Sequence, residues 1–280
     1  MFSKEQLYIT CKDHYVSEKE FELWYNKKYD MLITVPQPEK EELPSYYKTQ
    51  NYISHTDARK SFFEKAYQTV KKQNTVFKVK TINKLHPKKG TILDIGAGTG
   101  DFLLAMKKNG WETTGIEPNE NARVLAEKKG VFLRGQNQLE KQSYDVITMW
   151  HVLEHIPDLK EQVKKMKKHL TPTGSLFIAV PNYKSYDAQY YKNFWAAYDV
   201  PRHFWHFSKK TISMLFSEVE MKVVKTIPMK FDAYYVSLLS EKYQTGKMNF
   251  IKGAYRGWLS NRKAKANKEY SSHIFVIKNN

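Results

Sequence analysis

Two constellations in this chain could do chemistry. The first is Leu93-Asp94-Ile95-Gly96-Ala97-Gly98-Thr99-Gly100-Asp101-Phe102, where an apolar run meets three alternating glycines and then a helical pattern. Glycine is needed where a chain turns sharply and where a ligand must approach the backbone closely. Nineteen residues after Gly98, Glu117 ends the next apolar run. A carboxylate in that register can accept hydrogen bonds from both hydroxyls of a ribose. The second constellation is His151-Val152-Leu153-Glu154-His155, followed downstream by Asp199-Val200-Pro201-Arg202-His203-Phe204-Trp205-His206.

The glycine spacing selects between two ligand types. A dinucleotide site wants G-x-G-x-x-G with a pyrophosphate on the helix N-terminus. This chain has G-x-G-x-G followed by Asp101, a negative charge where the pyrophosphate would sit. A cofactor with ribose and adenine but no phosphate fits better, and S-adenosylmethionine is one. The histidine cluster reads as H-x-x-E-H, the inverted zinc-protease pattern, but that chemistry needs one long helix carrying both histidines. Here the motif follows directly on a strand-like run, and Pro157 and Asp158 open the helix only afterwards. His151, Glu154, His155 and one of His203 or His206 could converge on a divalent metal. The preferred reading is metal-free, with these histidines hydrogen-bonded in an ordered lid.

The elements that would position these residues alternate. Strands are expected at Thr91–Ile95, Glu112–Glu117, Val131–Arg134, Tyr144–Trp150, Ser175–Val180, Met221–Ile227 and His273–Ile277. Helices are expected at Asp57–Leu85, with a break near Asn74, and at Asp101–Asn109, Asn119–Lys129 and Asp158–Leu170, with a further helix capped by Ser208. Asp158 and Glu161 are spaced like a capping box. Strand–helix alternation with apolar strands means a mostly parallel sheet with helices on both faces, an α/β Rossmann-like fold. Such sheets bind ligands beyond the carboxyl ends of their strands. Residues 7–35 read as short strands, giving a small N-terminal β-rich lobe over 1–53, with the main domain over 54–280.

The chain has 280 residues, 41% of them apolar, enough for a large core. Its longest apolar runs, such as Leu176–Val180, fall far short of the roughly 20 residues of a membrane span. The N-terminus has no signal-peptide run, and Cys11 is the only cysteine. These point to a cytoplasmic protein with no disulfide and no cysteine-built zinc site. The net charge is +17, but residues 1–53 carry −2, and residues 242–268 hold eight Lys or Arg and no acid.

Two segments read as insertions. Residues 182–208 hold ten aromatics and suggest an aromatic substrate lid, with Trp195, His203, His206 and Glu154 as candidate acceptor contacts. Residues 229–270 suggest two amphipathic helices, read as a cap or dimer contact, with a peripheral anionic-membrane contact as the alternative.

On LDIGAGTGDF, GIEPN and SYDVITMWHVLEHIPD, residues 55–280 resemble class I S-adenosylmethionine-dependent methyltransferases of the ubiquinone-biosynthesis-like branch. The resemblance implies a seven-stranded sheet with an antiparallel last strand. It places Gly96, Gly98 and Gly100 around the methionine moiety and Glu117 on the ribose. Asp94 and Trp150 join the cofactor set, and Gln136 or Asn137 lies near the adenine. Residues 8–53 resemble a segment that in some relatives is a zinc ribbon, here without its paired cysteines and expected to be metal-free. Methyl transfer to a small-molecule acceptor, chiefly at oxygen, follows as the expected function, with His151 or His155 as base. Nucleic-acid methylation, prompted by the charge, and non-catalytic cofactor binding are the competing readings. The former lacks the N/D-P-P-Y/F motif, since Met149-Trp150-His151-Val152 stands in its place.

Overall fold

The computed structural model describes residues 2–39, 41–47, 62–135 and 142–280, with the backbone alone for 62–70. Three strands open the chain: β1 (Gln6–Lys12), β2 (Glu20–Asn26) and β3 (Met31–Val35). Then come α1 (Phe62–Leu85), β4 (Thr91–Ile95), α2 (Asp101–Lys108), β5 (Glu112–Ile116), α3 (Glu120–Glu127), β6 (Tyr144–Trp150), α4 (Leu159–Lys168) and β7 (Leu170–Pro181). The last third holds α5 (Tyr186–Tyr191), β8 (Trp205–His206), α6 (Lys209–Ser217), β9 (Met221–Pro228), α7 (Asp232–Thr245), α8 (Phe250–Asn267) and β10 (Ser272–Asn279).

The main sheet runs β5-β4-β6-β7-β10-β9. Its first four strands pair in parallel, and β10 is antiparallel to both neighbours. Central strands buried on both faces have to be apolar throughout, as Leu176 to Val180 are. Among the described residues the main sheet has six strands where seven were implied: Val131–Arg134 makes only a single bridge, Arg134 to Ile116, and Phe132 is 78% exposed.

Local signals held unevenly. Asn119 caps α3 by accepting from the Ala122 amide, and Ser208 and Thr211 form a reciprocal capping box on α6. Asp158 makes no side-chain cap to α4. The break expected near Asn74 is absent: the helix continues, and the Thr75 hydroxyl donates to the Lys71 carbonyl instead. On α1 Phe77 is exposed, while Val79 and Ile82 are buried.

The N-terminal strands form their own antiparallel sheet, β1-β2-β3-β8, whose last strand comes from the aromatic segment. Seven of that segment's ten rings are buried, and Tyr183, Tyr191, Trp195 and Tyr198 share one apolar cluster with Cys11, Phe21, Leu23 and Leu32. These rings act mainly as glue between the small sheet and the main domain. At the centre of that junction Arg202, 1% exposed, donates to Asp13 at 2.9 Å and to Asp199 at 2.7 Å. Burial favours the neutral acids, yet the guanidinium outweighs it, holding Asp13 below the usual carboxylate range and Asp199 at about 2.

Removing one partner of such a buried set leaves uncompensated charge, so Arg202→Ala is expected to lower stability by about 3–5 kcal/mol in urea unfolding. Because the acids' folded pKa values lie below their unfolded ones, this contribution is full above the ordinary carboxylate range. It drains away as pH falls from about 4 towards about 2. An unfolding midpoint flat across that window would contradict the assignment.

Candidate functional site

At the carboxyl end of β4 the chain turns through Gly96, Gly98 and Gly100, with φ of +74°, +54° and +75°. These left-handed values suit glycine alone among common residues. A Cβ on Gly96 would lie 2.4 Å from Val152 Cγ2, whereas one on Gly98 would meet nothing within 4 Å. The loop is thus packed against the β6 loop on one side and open on the other. Glu117, just past β5, fixes it: its Oε2 accepts from the Gly98 amide at 2.8 Å and its Oε1 from the Asn119 amide at 2.9 Å. Each oxygen keeps a second lone pair. An open cradle of backbone with a positioned carboxylate fits the ribose and amino-acid portion of a nucleoside cofactor.

Asp94 lies beneath the loop, fully buried, accepting from Thr148 Oγ1 at 2.5 Å; burial raises its pKa. Trp150 closes the end of β6, edge-on to Phe102, with Lys78 Nζ 4.5 Å above its ring. Asp101 is not the bare negative charge that the sequence suggested. Lys71 at 2.6 Å and Lys129 at 2.8 Å pair with it, so its charge alone does not exclude a phosphate. Gln136 and Asn137 lie outside the described residues.

After β6 the chain makes a three-residue 3-10 turn, Leu153–His155, not a helix. That geometry removes the inverted zinc-protease reading. His151 sits at φ +58°, a strained value for a non-glycine residue and common at functional sites. A third of its side chain is accessible. Its Nε2 lies 3.0 Å from Asp232 Oδ2 and its Nδ1 3.5 Å from Glu154 Oε1. Burial opposes the charged ring, but the two carboxylates prevail and raise the pKa to about 9. His151 is therefore a cation at neutral pH, unsuited to the role of general base expected for it.

His155 is the opposite case. Burial and the neighbouring His203 lower its pKa to about 4. Its Nδ1 lies 3.0 Å from the Arg202 carbonyl, which can only accept, so the proton is on Nδ1 and Nε2 carries a lone pair. The same logic applies to His203, whose Nδ1 lies 2.9 Å from the Ala197 carbonyl. Glu154 is 0% exposed, and neither of its oxygens accepts a hydrogen bond among the described residues. Glu154, His155 and His203 each offer a ligand atom within 4.8 Å of the others. Phe204 ties this cluster to the small sheet: its amide donates to the Glu154 carbonyl at 2.8 Å and its carbonyl accepts from the Thr34 amide at 3.1 Å.

Two expected acceptor contacts lie elsewhere. Trp195 is sealed in the N-terminal cluster, its Nε1 donating to Asp187 at 2.8 Å. His206 turns towards the small sheet, with Nε2 3.0 Å from Thr34 Oγ1. Asp232 and Tyr47, whose hydroxyl lies 3.1 Å from His155 Nδ1, carry no local signal that would have marked them. Both come from distant segments and join the cluster only through folding.

The profile of a methyltransferase domain family matches residues 70–226. The chain belongs to this family, whose cofactor is S-adenosylmethionine. Among curated relatives, the ubiquinone biosynthesis O-methyltransferase of Histophilus somni is 36% identical over 106 residues, covering 32% of this chain and 44% of that protein. The chain thus spans less than half the length of this relative. By structure, it resembles the magnesium protoporphyrin IX methyltransferase of Synechocystis PCC 6803 with bound SAH, at a TM-score of 0.56 and 15% identity over 86% of this chain and 100% of that one. It also resembles a SAM-dependent methyltransferase of Archaeoglobus fulgidus, at 0.50 and 19% over 73% of this chain and 94% of that one.

Two substitutions test the cradle. Glu117→Ala removes charge-assisted hydrogen bonds worth about 1.5–3 kcal/mol each, so calorimetry is expected to give S-adenosylmethionine binding weakened at least about tenfold. Gly98→Ala should weaken binding as well, at a cost in stability of about 1–2 kcal/mol from its left-handed backbone alone, since its Cβ meets no protein atom. Unchanged affinity in both would remove the cofactor from this loop.

Proposed function

We propose that the protein transfers the methyl group of S-adenosylmethionine to a hydroxyl oxygen of a small-molecule acceptor. The observation that carries this reading is the His155 imidazole, whose Nδ1 is engaged by the Arg202 carbonyl and whose Nε2 has no hydrogen-bond partner among the described residues, at the same sheet edge as the glycine loop. The cofactor, when bound, supplies an electrophilic methyl on sulfur. Glu117 and the glycine loop orient it, His155 takes the hydroxyl proton, and cationic His151 favours the negative charge that develops on the acceptor oxygen. Asp232 and Glu154 keep His151 charged and fixed. The name of the Histophilus somni relative supports oxygen as the acceptor atom.

The test uses labelled S-adenosylmethionine with a panel of phenolic and other hydroxylated acceptors. His155→Ala is expected to lower kcat by about 10²–10⁴ while leaving cofactor affinity unchanged. Turnover on no acceptor, or an unaffected kcat, would overturn the reading.

The Glu154 oxygens, which accept no hydrogen bond among the described residues, favour a second reading, in which Glu154, His155 and His203 hold a divalent cation that binds the acceptor oxygen. Elemental analysis of the purified protein decides between them. Near-stoichiometric metal that disappears in His155→Ala establishes the metal; full activity after chelation leaves the proton-transfer reading standing.

A further inference from the structure

We propose that the outer face of α8 is an anionic-membrane contact, by which the protein docks peripherally on a lipid bilayer. The helix has two unlike faces. Gly253, Gly257, Ser260 and Ala264 are buried against the rest of the chain. A Cβ on Gly257 would lie 2.7 Å from the Tyr234 Cα, so α7 and α8 approach backbone to backbone and form a rigid hairpin. Ile251, Tyr255, Trp258, Arg262 and Lys265 recur at spacings of four, three, four and three residues and share the opposite face. Ile251 is 85% exposed, Tyr255 53% and Trp258 45%.

The face mixes what an interfacial helix needs: an aliphatic side chain and two amphipathic rings to enter the headgroup boundary, and cations to meet lipid phosphates. The eight Lys or Arg over 242–268 have no acid among them. Lys252 is spent on Glu241 at 2.9 Å, and Arg256 and Lys263 lie over the Tyr190 and Tyr186 rings on the inner flank. Lys247, Arg262 and Lys265 remain on the exposed side. Among the described residues no helix is long and apolar enough to cross a membrane, so the contact lies on the surface. A second copy of the chain is a poorer occupant, because a two-fold contact would bring like-charged stripes together. Nucleic acid would account for the cations but not for Ile251. The hairpin also reaches the reaction edge, since Asp232 in the first turn of α7 pairs with His151. Delivery of an acceptor from the bilayer would rest on the function proposed above; docking itself does not.

The full chain is sedimented with vesicles of phosphatidylcholine alone or mixed with phosphatidylglycerol, at low and raised salt. Binding to the anionic vesicles is expected at low salt, falling steeply as salt rises. Each surface cation contributes roughly fivefold in affinity, so the double variant Arg262→Glu, Lys265→Glu should bind at least about tenfold more weakly. Ile251→Asp should do the same. Retained S-adenosylmethionine binding in the variants shows that they are folded and keeps this result separate from the catalytic one. Absence of binding to anionic vesicles, or equal binding by wild type and variants, overturns the proposal. A drop in oligomer mass on substitution would assign the face to a second copy, and RNA binding lost with Arg262 and Lys265 in place of vesicle binding would assign it to nucleic acid.

Discussion

The site depends first on one carboxylate held by two backbone amides. In the turn after β4 the Gly96 and Ala97 amides donate to the Ile116 carbonyl and the Gly100 amide to the Ala97 carbonyl, which leaves the Gly98 amide without a backbone acceptor. Glu117 supplies the missing acceptor from the neighbouring strand, fastening Gly98 to the end of β5 and Asn119 to the start of α3. In a site shielded from bulk water these charge-assisted bonds are stronger than at a surface. The same two oxygens that order the loop each keep a second lone pair, so in the proposed reading ordering the loop and binding the ribose fall to one side chain.

A second constraint is charge at the end of β6. Three buried or half-buried imidazoles and two carboxylates crowd together, and they cannot all share one protonation state. The structure separates them: His151 lies between Asp232 and Glu154 and is cationic, while His155 faces backbone carbonyls and His203 and is neutral. Pushing like groups apart in pKa is how a fold obtains an acid-side and a base-side group from one residue type. The N-terminal sheet takes part, because Thr34 and Phe204 hold the backbone that carries Glu154. Its aromatic cluster and the Arg202 ion set keep that support rigid.

What was legible in the sequence divides along physical lines. The alternation of strands and helices, the glycine loop and the register of Glu117 were readable because each is set by local patterning over a few residues. The antiparallel last strand followed from family resemblance, whereas the weak strand at Val131–Arg134 failed because an edge strand depends on a partner that periodicity does not reveal. Protonation was the least legible. Two histidines four residues apart in one motif look equivalent in sequence, and what makes them opposites includes Asp232, eighty-one positions from His151, and His203, forty-eight from His155. Asp101 misled for the same reason, since the lysines that neutralise it come from α1 and from beyond α3. The aromatic segment was readable as functional, but its rings mostly join two sheets, a tertiary role that composition does not separate from a lid.

The account stands most directly on cofactor occupancy. Native mass spectrometry of the intact wild-type chain, stripped and then titrated with S-adenosylmethionine, reads it without any knowledge of the acceptor. One cofactor bound per chain, displaced by the demethylated product but not by a nicotinamide dinucleotide, is the predicted result. No adduct at saturating S-adenosylmethionine, or a preference for the dinucleotide, would contradict the reading of the glycine loop and Glu117 on which the rest is built.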